Sequence, residues 1–248
     1  MWAGIISLLP ELFEPFGVHG VTRRAIASGQ LEWAFYNPRS FTERPQGQVD
    51  DKPYGGGPGM VMQAQPLLAA LAAAQAAAPT PARVILPSPQ GVPLTHELVV
   101  ELAREPALVF VCGRYEGIDE RFVERVDDEI SVGDYVLTGG ELPTLVMLDA
   151  ISRWLPGTLG NEASAGADSF ADGLLEGPQY TRPETLPDGT AVPADLLSGD
   201  HGKIARQRRL AALRRTLQRR PELLLRSDLA AADLALLREL LAEARKGE

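Results

Sequence analysis

Over roughly the first two-thirds of the chain, apolar residues fall in short runs that alternate with stretches of helical period. Residues 3–9 (Ala-Gly-Ile-Ile-Ser-Leu-Leu) predict a buried strand, closed by a turn at Pro10 and followed by a helix containing Leu12, Phe13 and Phe16. Residues 31–36 predict a second strand, and residues 66–78 an alanine-rich helix with Pro66 in its first turn and Pro79 beyond its end. A strand begins at residues 83–86 and reaches a turn at 87–91, and a helix starts near Thr95 and carries Leu98, Val99 and Leu102. A further strand at 108–111 leads into a glycine-containing loop over 113–119 and a charged helix through 120–126. Residues 129–137 hold a short strand and another glycine-rich loop, before a helix over 142–154 with Glu141 in its first turn. Short apolar strands alternating with helices predict an α/β domain with a mostly parallel sheet, whose loops gather at one end.

The pattern changes after Pro156-Gly157. Residues 160–178, rich in Gly, Ala, Ser and Asp, predict an exposed connector that orders on binding. Helical patterning returns from Lys203, breaks at Pro221, and resumes in a final helix capped by Ser227 or Asp228 that carries Leu229, Leu236, Leu237, Leu240 and Leu241. The expected division is an α/β ligand-binding domain over 1–159, a connector over 160–178 and a mainly helical domain over 179–248.

Composition narrows the class. The chain has 248 residues, 45% of them apolar, which is enough for a sizeable core, but only 6% are aromatic, so aliphatic side chains must build it. One cysteine, Cys112, excludes an intrachain disulfide and fits a cytoplasmic protein; it follows an apolar strand, where a buried thiol is the plain reading. The N-terminus lacks the basic region of a signal peptide and no apolar run reaches membrane-spanning length, so the chain reads as soluble, with no membrane partner. Its net charge of −9 argues against a polyanionic partner until the charges are located. Between residues 203 and 226 stand Lys203, Arg206, Arg208, Arg209, Arg214, Arg215, Arg219, Arg220 and Arg226 against Glu222 alone. That segment is either a phosphate-binding surface or a solvated helix face whose arginine stems cover apolar area.

Candidate chemistry concentrates in three glycine-rich turns: Pro53-Tyr-Gly-Gly-Gly-Pro-Gly-Met-Val-Met62, Cys112-Gly-Arg-Tyr-Glu-Gly-Ile-Asp119 and Gly133-Asp-Tyr-Val-Leu-Thr-Gly-Gly140. None is a dinucleotide fingerprint or a P-loop, since neither GxGxxG nor the phosphate-clamping GxxxxGK(S/T) occurs. Together they suggest a backbone-lined pocket for a flat, adenosine-like ligand, with Leu86, Tyr115, Val132 and Leu137 giving apolar contact. Tyr115 and Tyr135 stack on the ligand or are core and wall aromatics. Arg153 neutralises a helix end or acts on a substrate; Asp168 caps a turn or removes a proton, and the two together suit deprotonation of a heterocycle. His19, His96 and His201 form no metal motif, and neither HExxH, CxxC nor GxSxG occurs.

In their order and combination, these turns with Leu86-Pro-Ser-Pro-Gln-Gly91, Asp168-Ser-Phe170, Gly173-Leu-Leu175, Pro178-Gln-Tyr-Thr-Arg-Pro183 and Leu196-Leu-Ser-Gly-Asp-His201 resemble the TrmD family of bacterial tRNA (guanine-N1)-methyltransferases, in the SPOUT superfamily. The resemblance spans almost the whole chain. It implies a deep C-terminal trefoil knot in the catalytic domain, a homodimer, and methyl transfer from S-adenosyl-L-methionine to guanosine 37 of tRNAs that carry guanosine 36, with Mg2+ needed for activity at no assigned position. It implies that Leu86, Pro87, Gly113, Tyr115, Glu116, Gly117, Val132, Gly133, Tyr135, Leu137, Gly139, Gly140 and Pro143 bind the cofactor. Asp168 becomes the proton acceptor and Arg153 the group that stabilises charge on the base. Ser169, His201, Lys203, Arg208, Arg214 and Arg215 become substrate contacts. Gln207 departs from the family pattern, which commonly has tryptophan there.

Overall fold

The computed structural model describes residues 1–161 and 163–244, and the chain divides after Glu162 into two compact units. The first unit contains, in order, β1 (Trp2–Ile6), α1 (Glu14–Val18), α2 (Gly20–Ala27), β2 (Glu32–Tyr36), β3 (Asp50–Asp51), β4 (Val61–Met62), α3 (Ala64–Ala77), β5 (Arg83–Pro93), α4 (His96–Leu102), β6 (Ala107–Val111), α5 (Glu120–Val123), β7 (Asp128–Ser131) and α6 (Glu141–Ser152). Five strands pair in parallel in the order β2-β1-β6-β5-β7, while β3 and β4 form a small antiparallel pair.

Every residue of β1 and β6 is buried, as expected for inner strands covered on both faces. Alternation divides their side chains between two cores. Ala3, Ile5, Leu108 and Phe110 join Val99 and Leu102 of α4 and Leu145, Leu148 and Ile151 of α6. Trp2, Ile6, Val109 and Val111 join Leu67, Ala70, Leu71 and Ala74 of α3, together with Phe122 of α5. Deleting a fully buried aromatic such as Phe110 would cost about 3–5 kcal/mol.

Two local features depart from the sequence pattern. The turn after residue 86 is a loop within β5: Pro87 pairs with Ile130, residues 88–91 swing out, and Val92 pairs with Ile130 again. Gly91 permits this return, because a Cβ there would lie 2.3 Å from the backbone of Glu129 and Ile130. Helix α2 was not legible in the sequence, since only Thr22 and Ala25 along it are buried.

The second unit consists of α7 (Ala163–Ala167), α8 (Ala194–Leu197), α9 (His201–Arg219), α10 (Pro221–Leu224) and α11 (Ala231–Ala244). Asp200 caps α9 by accepting from the N–H groups of Gly202 and Lys203. Leu174, Leu213, Leu236 and Leu240 form its core. The final helix begins at Ala231, later than the expected cap at 227 or 228. The Ser227 hydroxyl instead donates to the carbonyls of Gly173 and Leu223, and the Asp233 carboxylate accepts from the N–H of Ala230.

Candidate functional site

The loop at 87–91 within β5 and the loops at 112–119 and 132–140 that follow β6 and β7 border a cavity of about 330 Å³. Its position beyond the carboxyl ends of adjacent parallel strands is where an open α/β sheet presents a ligand crevice. Leu86, Pro87, Gly113, Tyr115, Glu116, Gly117, Val132, Gly133, Tyr135, Leu137, Gly139, Gly140 and Pro143 all line it. Residues not singled out from the sequence complete the wall, among them Gln90, Arg114, Ile118, Glu120 and Glu129. The first glycine-rich turn is absent from the lining. It lies behind the second: Glu116 N–H donates to the Met60 carbonyl at 3.0 Å, and Met62 N–H to the Gly117 carbonyl at 2.9 Å.

The walls of the cavity are fixed by close backbone approach and by one buried ion pair. A Cβ on Gly140 would sit 2.7 Å from Cys112 Cα and 2.9 Å from Gly113 N, so the loops after β6 and β7 meet only because residue 140 has no side chain. Gly140 N–H donates to the Gly113 carbonyl across the same junction. Glu141 is buried at the first turn of α6, where a carboxylate complements the helix dipole. It accepts from the Ser7 hydroxyl at 2.8 Å and pairs with Arg114 at 2.9 Å, while Arg114 also donates to the Thr138 carbonyl. The arginine on the cavity wall is thereby neutralised, whereas Glu120 and Glu129 add acidic residues to the lining and the Glu116 carboxyl lies against Gly59 of the first glycine-rich turn. Such a wall suits a cationic ligand and opposes a phosphate chain.

Cys112 is buried and lies 3.4 Å from the Thr144 hydroxyl. Burial, reinforced by the charge of Glu141, pushes its thiol far above the ordinary cysteine range. It is a packing residue, as its place after an apolar strand implied. Tyr115 and Tyr135 are both exposed wall residues and not core aromatics. Tyr115 adopts a φ of +60°, a conformation sparsely occupied by bulky residues, and its hydroxyl accepts from Arg39 at 3.5 Å.

Arg153 occupies the C-cap of α6 in the first unit and is half-buried. Asp168 lies just past α7 in the second unit, also half-buried, and its carbonyl accepts from Ala171 N–H. The Ser169 hydroxyl accepts from Glu176 N–H and so closes its own turn. His201 and Lys203 are exposed on the first turn of α9. Arg208, Arg214 and Arg215 line a second groove of about 330 Å³, with Arg219, Gln207 and Tyr180. Among the described residues, no three His, Cys, Asp or Glu side chains are grouped to hold a metal ion, and no helix is long and apolar enough to cross a membrane.

A family model described as tRNA (Guanine-1)-methyltransferase TrmD matches residues 1–226. A tRNA (guanine-N(1)-)-methyltransferase of Shewanella loihica is 53% identical over 249 aligned positions that cover 100% of both chains. The protein of that name from Shewanella halifaxensis is 56% identical over 225 positions, 90% of each chain. Another, from Pseudoalteromonas atlantica, is 54% identical over 230, covering 92% of this chain and 86% of its own. With a family match across most of its length, and a cavity built by the family's motifs at the end of a parallel sheet, the chain belongs to the TrmD family of tRNA (guanine-N1)-methyltransferases in the SPOUT superfamily.

Proposed function

We propose that the protein transfers the methyl group of S-adenosyl-L-methionine to N1 of guanosine 37 in tRNAs that carry guanosine 36. The observation that carries this reading is the convergence of all the motif residues assigned to the cofactor on one cavity. That cavity fits the cofactor's chemistry. Leu86, Ile118, Val132 and Leu137 offer apolar faces for an adenine ring, loop backbone offers polar groups for its edges, and the acidic residues of the lining suit a sulfonium cation better than a phosphate chain. When bound, the cofactor supplies an electrophilic methyl group.

Guanine N1 carries a proton, and its lone pair becomes nucleophilic only as that proton leaves. Asp168 accepts the proton, and Arg153 stabilises the negative charge that moves onto O6 and orients the base. Glu116 organises the pocket. Arg208, Arg214 and Arg215 hold tRNA phosphates, while Ser169, His201 and Lys203 make further contacts to the substrate. The knot of the superfamily and a homodimer belong to the same reading, with the pocket of one subunit completed by the connector and helical domain of its partner. Exposed Leu9, Leu12, Phe16, Leu142 and Val146 give the first unit apolar surface for such an assembly. Mg2+ acts through the RNA or the reacting complex, and thorough chelation is expected to slow methyl transfer.

Single-turnover methylation with methyl-labelled cofactor and unmodified tRNA tests the reading. Asp168→Ala should lower the rate by about 10²–10⁴-fold, and Arg153→Ala should also lower it. The label should map to N1 of guanosine 37 and depend on guanosine 36. Near wild-type rates in both variants would overturn the assigned roles, and RNA binding without any methylated product would mark a nonenzymatic adaptor.

A further inference from the structure

The turn that carries Asp168 is fastened to the second unit's helices through backbone, apolar and ionic contacts. Leu174 is 1% exposed and packs with Leu213, Leu236 and Leu240. Leu175 N–H donates to the Thr216 hydroxyl at 3.0 Å, the Ser227 hydroxyl to the Gly173 carbonyl at 2.9 Å, and Arg215 to the Glu176 carbonyl at 3.4 Å. Phe170 takes a φ of +76°, a backbone state that a bulky residue keeps only where its surroundings impose it. Its N–H donates to the Leu174 carbonyl at 2.6 Å, folding residues 168–176 back on themselves.

Arg209 is the ionic component. Its guanidinium forms a two-pronged pair with Asp233 of α11, at 2.7 and 2.8 Å, and its remaining nitrogen donates to Asp172 within the turn. An exposed ion pair alone contributes little, because two long side chains must be ordered to form it. Here the Asp233 fork already orders Arg209, so contact with Asp172 adds little further loss of freedom. Asp172 also accepts from Leu174 N–H at 3.2 Å, which ties the charge contact to the fold of the turn.

We infer that Arg209, bridging Asp233 and Asp172, is a positioning residue that holds the 168–176 turn on α9 and α11 and thereby aims the Asp168 carboxylate at the substrate. The inference rests on the proposed role of Asp168. Its consequence is that a helix of the substrate-binding unit sets the rate of the proton transfer step without touching the reacting atoms, since small misplacement of a reacting group costs large factors in rate.

Asp172→Asn is the sharpest variant, because the amide oxygen preserves the bond to Leu174 N–H and leaves the Arg209–Asp233 pair intact. Its single-turnover rate at saturating cofactor and tRNA should fall about tenfold. Cofactor affinity, tRNA affinity and thermal midpoint should stay at wild-type values, a split that a merely structural contact would not produce. Arg209→Lys should retain more of the rate than Arg209→Ala. Amide hydrogen exchange over residues 170–176 should accelerate in Asp172→Asn. Wild-type rates in folded Asp172→Asn and Arg209→Ala, with Asp168→Asn inactive, would overturn the positioning role alone. A wild-type rate in Asp168→Asn would overturn the proton-acceptor reading and this inference with it.

Discussion

The two units hold their functional residues by different means. In the first, the cavity walls are set by main chain against main chain: Gly140 packs on Cys112 and Gly113 with no room for a Cβ, and the one ion pair beneath them, Arg114 with Glu141, is largely buried. In the second, a small leucine core is supplemented by ion pairs nearer the surface, Arg209 with Asp172 and Asp233, and Arg206 with Glu239. Backbone contact tolerates almost no displacement, which suits recognition of a small rigid ligand. The Arg206–Glu239 pair joins two exposed side chains that yield and re-form, whereas the two-pronged Arg209–Asp233 pair is ordered by its geometry.

The largest effect expected from this contrast is at Gly140. Gly140→Leu drives a side chain into the backbone of Cys112 and Gly113 and should reduce cofactor affinity beyond about 100-fold, roughly 3 kcal/mol. Calorimetry checks it, with the circular dichroism spectrum confirming an intact sheet, and normal binding would refute a backbone-defined pocket. Next is Leu213→Ala in the second unit, where Leu213 is fully buried. It should destabilise that unit by about 2–5 kcal/mol while leaving cofactor affinity within about twofold of wild type. A parallel loss of cofactor binding would show that the two units are not independent in this respect.

The Arg209–Asp233 pair predicts a smaller, pH-dependent effect. A hydrogen bond from Arg209 first, and its charge second, hold the Asp233 carboxyl below its ordinary value of 3.8, against the opposing effect of burial. A depressed carboxylate pKa means that the unfolded chain binds the proton more readily. The pair's contribution is therefore complete well above pH 3.8 and is lost as pH falls through the lower folded-state value. Asp233→Asn should cost about 1–3 kcal/mol at pH 7, a gap that narrows in acid denaturation curves only below about pH 4. A gap that stays constant down to pH 2 would exclude the ionic origin. The smallest effect belongs to the groove arginines. Arg208→Gln or Arg219→Gln should weaken tRNA binding a few-fold and flatten its logarithmic salt dependence by about 0.7–0.9 per phosphate contact removed. An unchanged slope would assign the groove to something other than the phosphate backbone.

The order of strands and helices in the first unit was legible because inner parallel strands are continuous apolar runs and the larger helices carry wide apolar faces, as in residues 107–111 and 141–152. Helix α2 was not, since a short helix that buries two small residues carries no periodic signal. The glycine-rich motifs by themselves pointed to a close-approach pocket and, through their order, to the family. The residues that line the cavity stand in those motifs because a wall built from close backbone approach leaves its mark in local sequence.

Tertiary structure decided what depends on distant partners. It separated the first glycine-rich turn from the cavity lining and placed it behind Glu116, although its composition resembles the turns that do line it. It converted Arg114 from one charge among many into the partner of a glutamate 27 positions away, anchored in turn by Ser7. It placed the start of the last helix at Ala231, where the Asp233 carboxylate accepts from Ala230 N–H, while the Ser227 hydroxyl is turned to the carbonyls of Gly173 and Leu223. It also drew Arg209 out of a run of similar arginines, since only the fold brings Asp172 and Asp233 to the same guanidinium. Local sequence determines where the backbone turns and which faces seek burial, whereas the pairing of charges across tens of residues exists only once the chain has closed on itself.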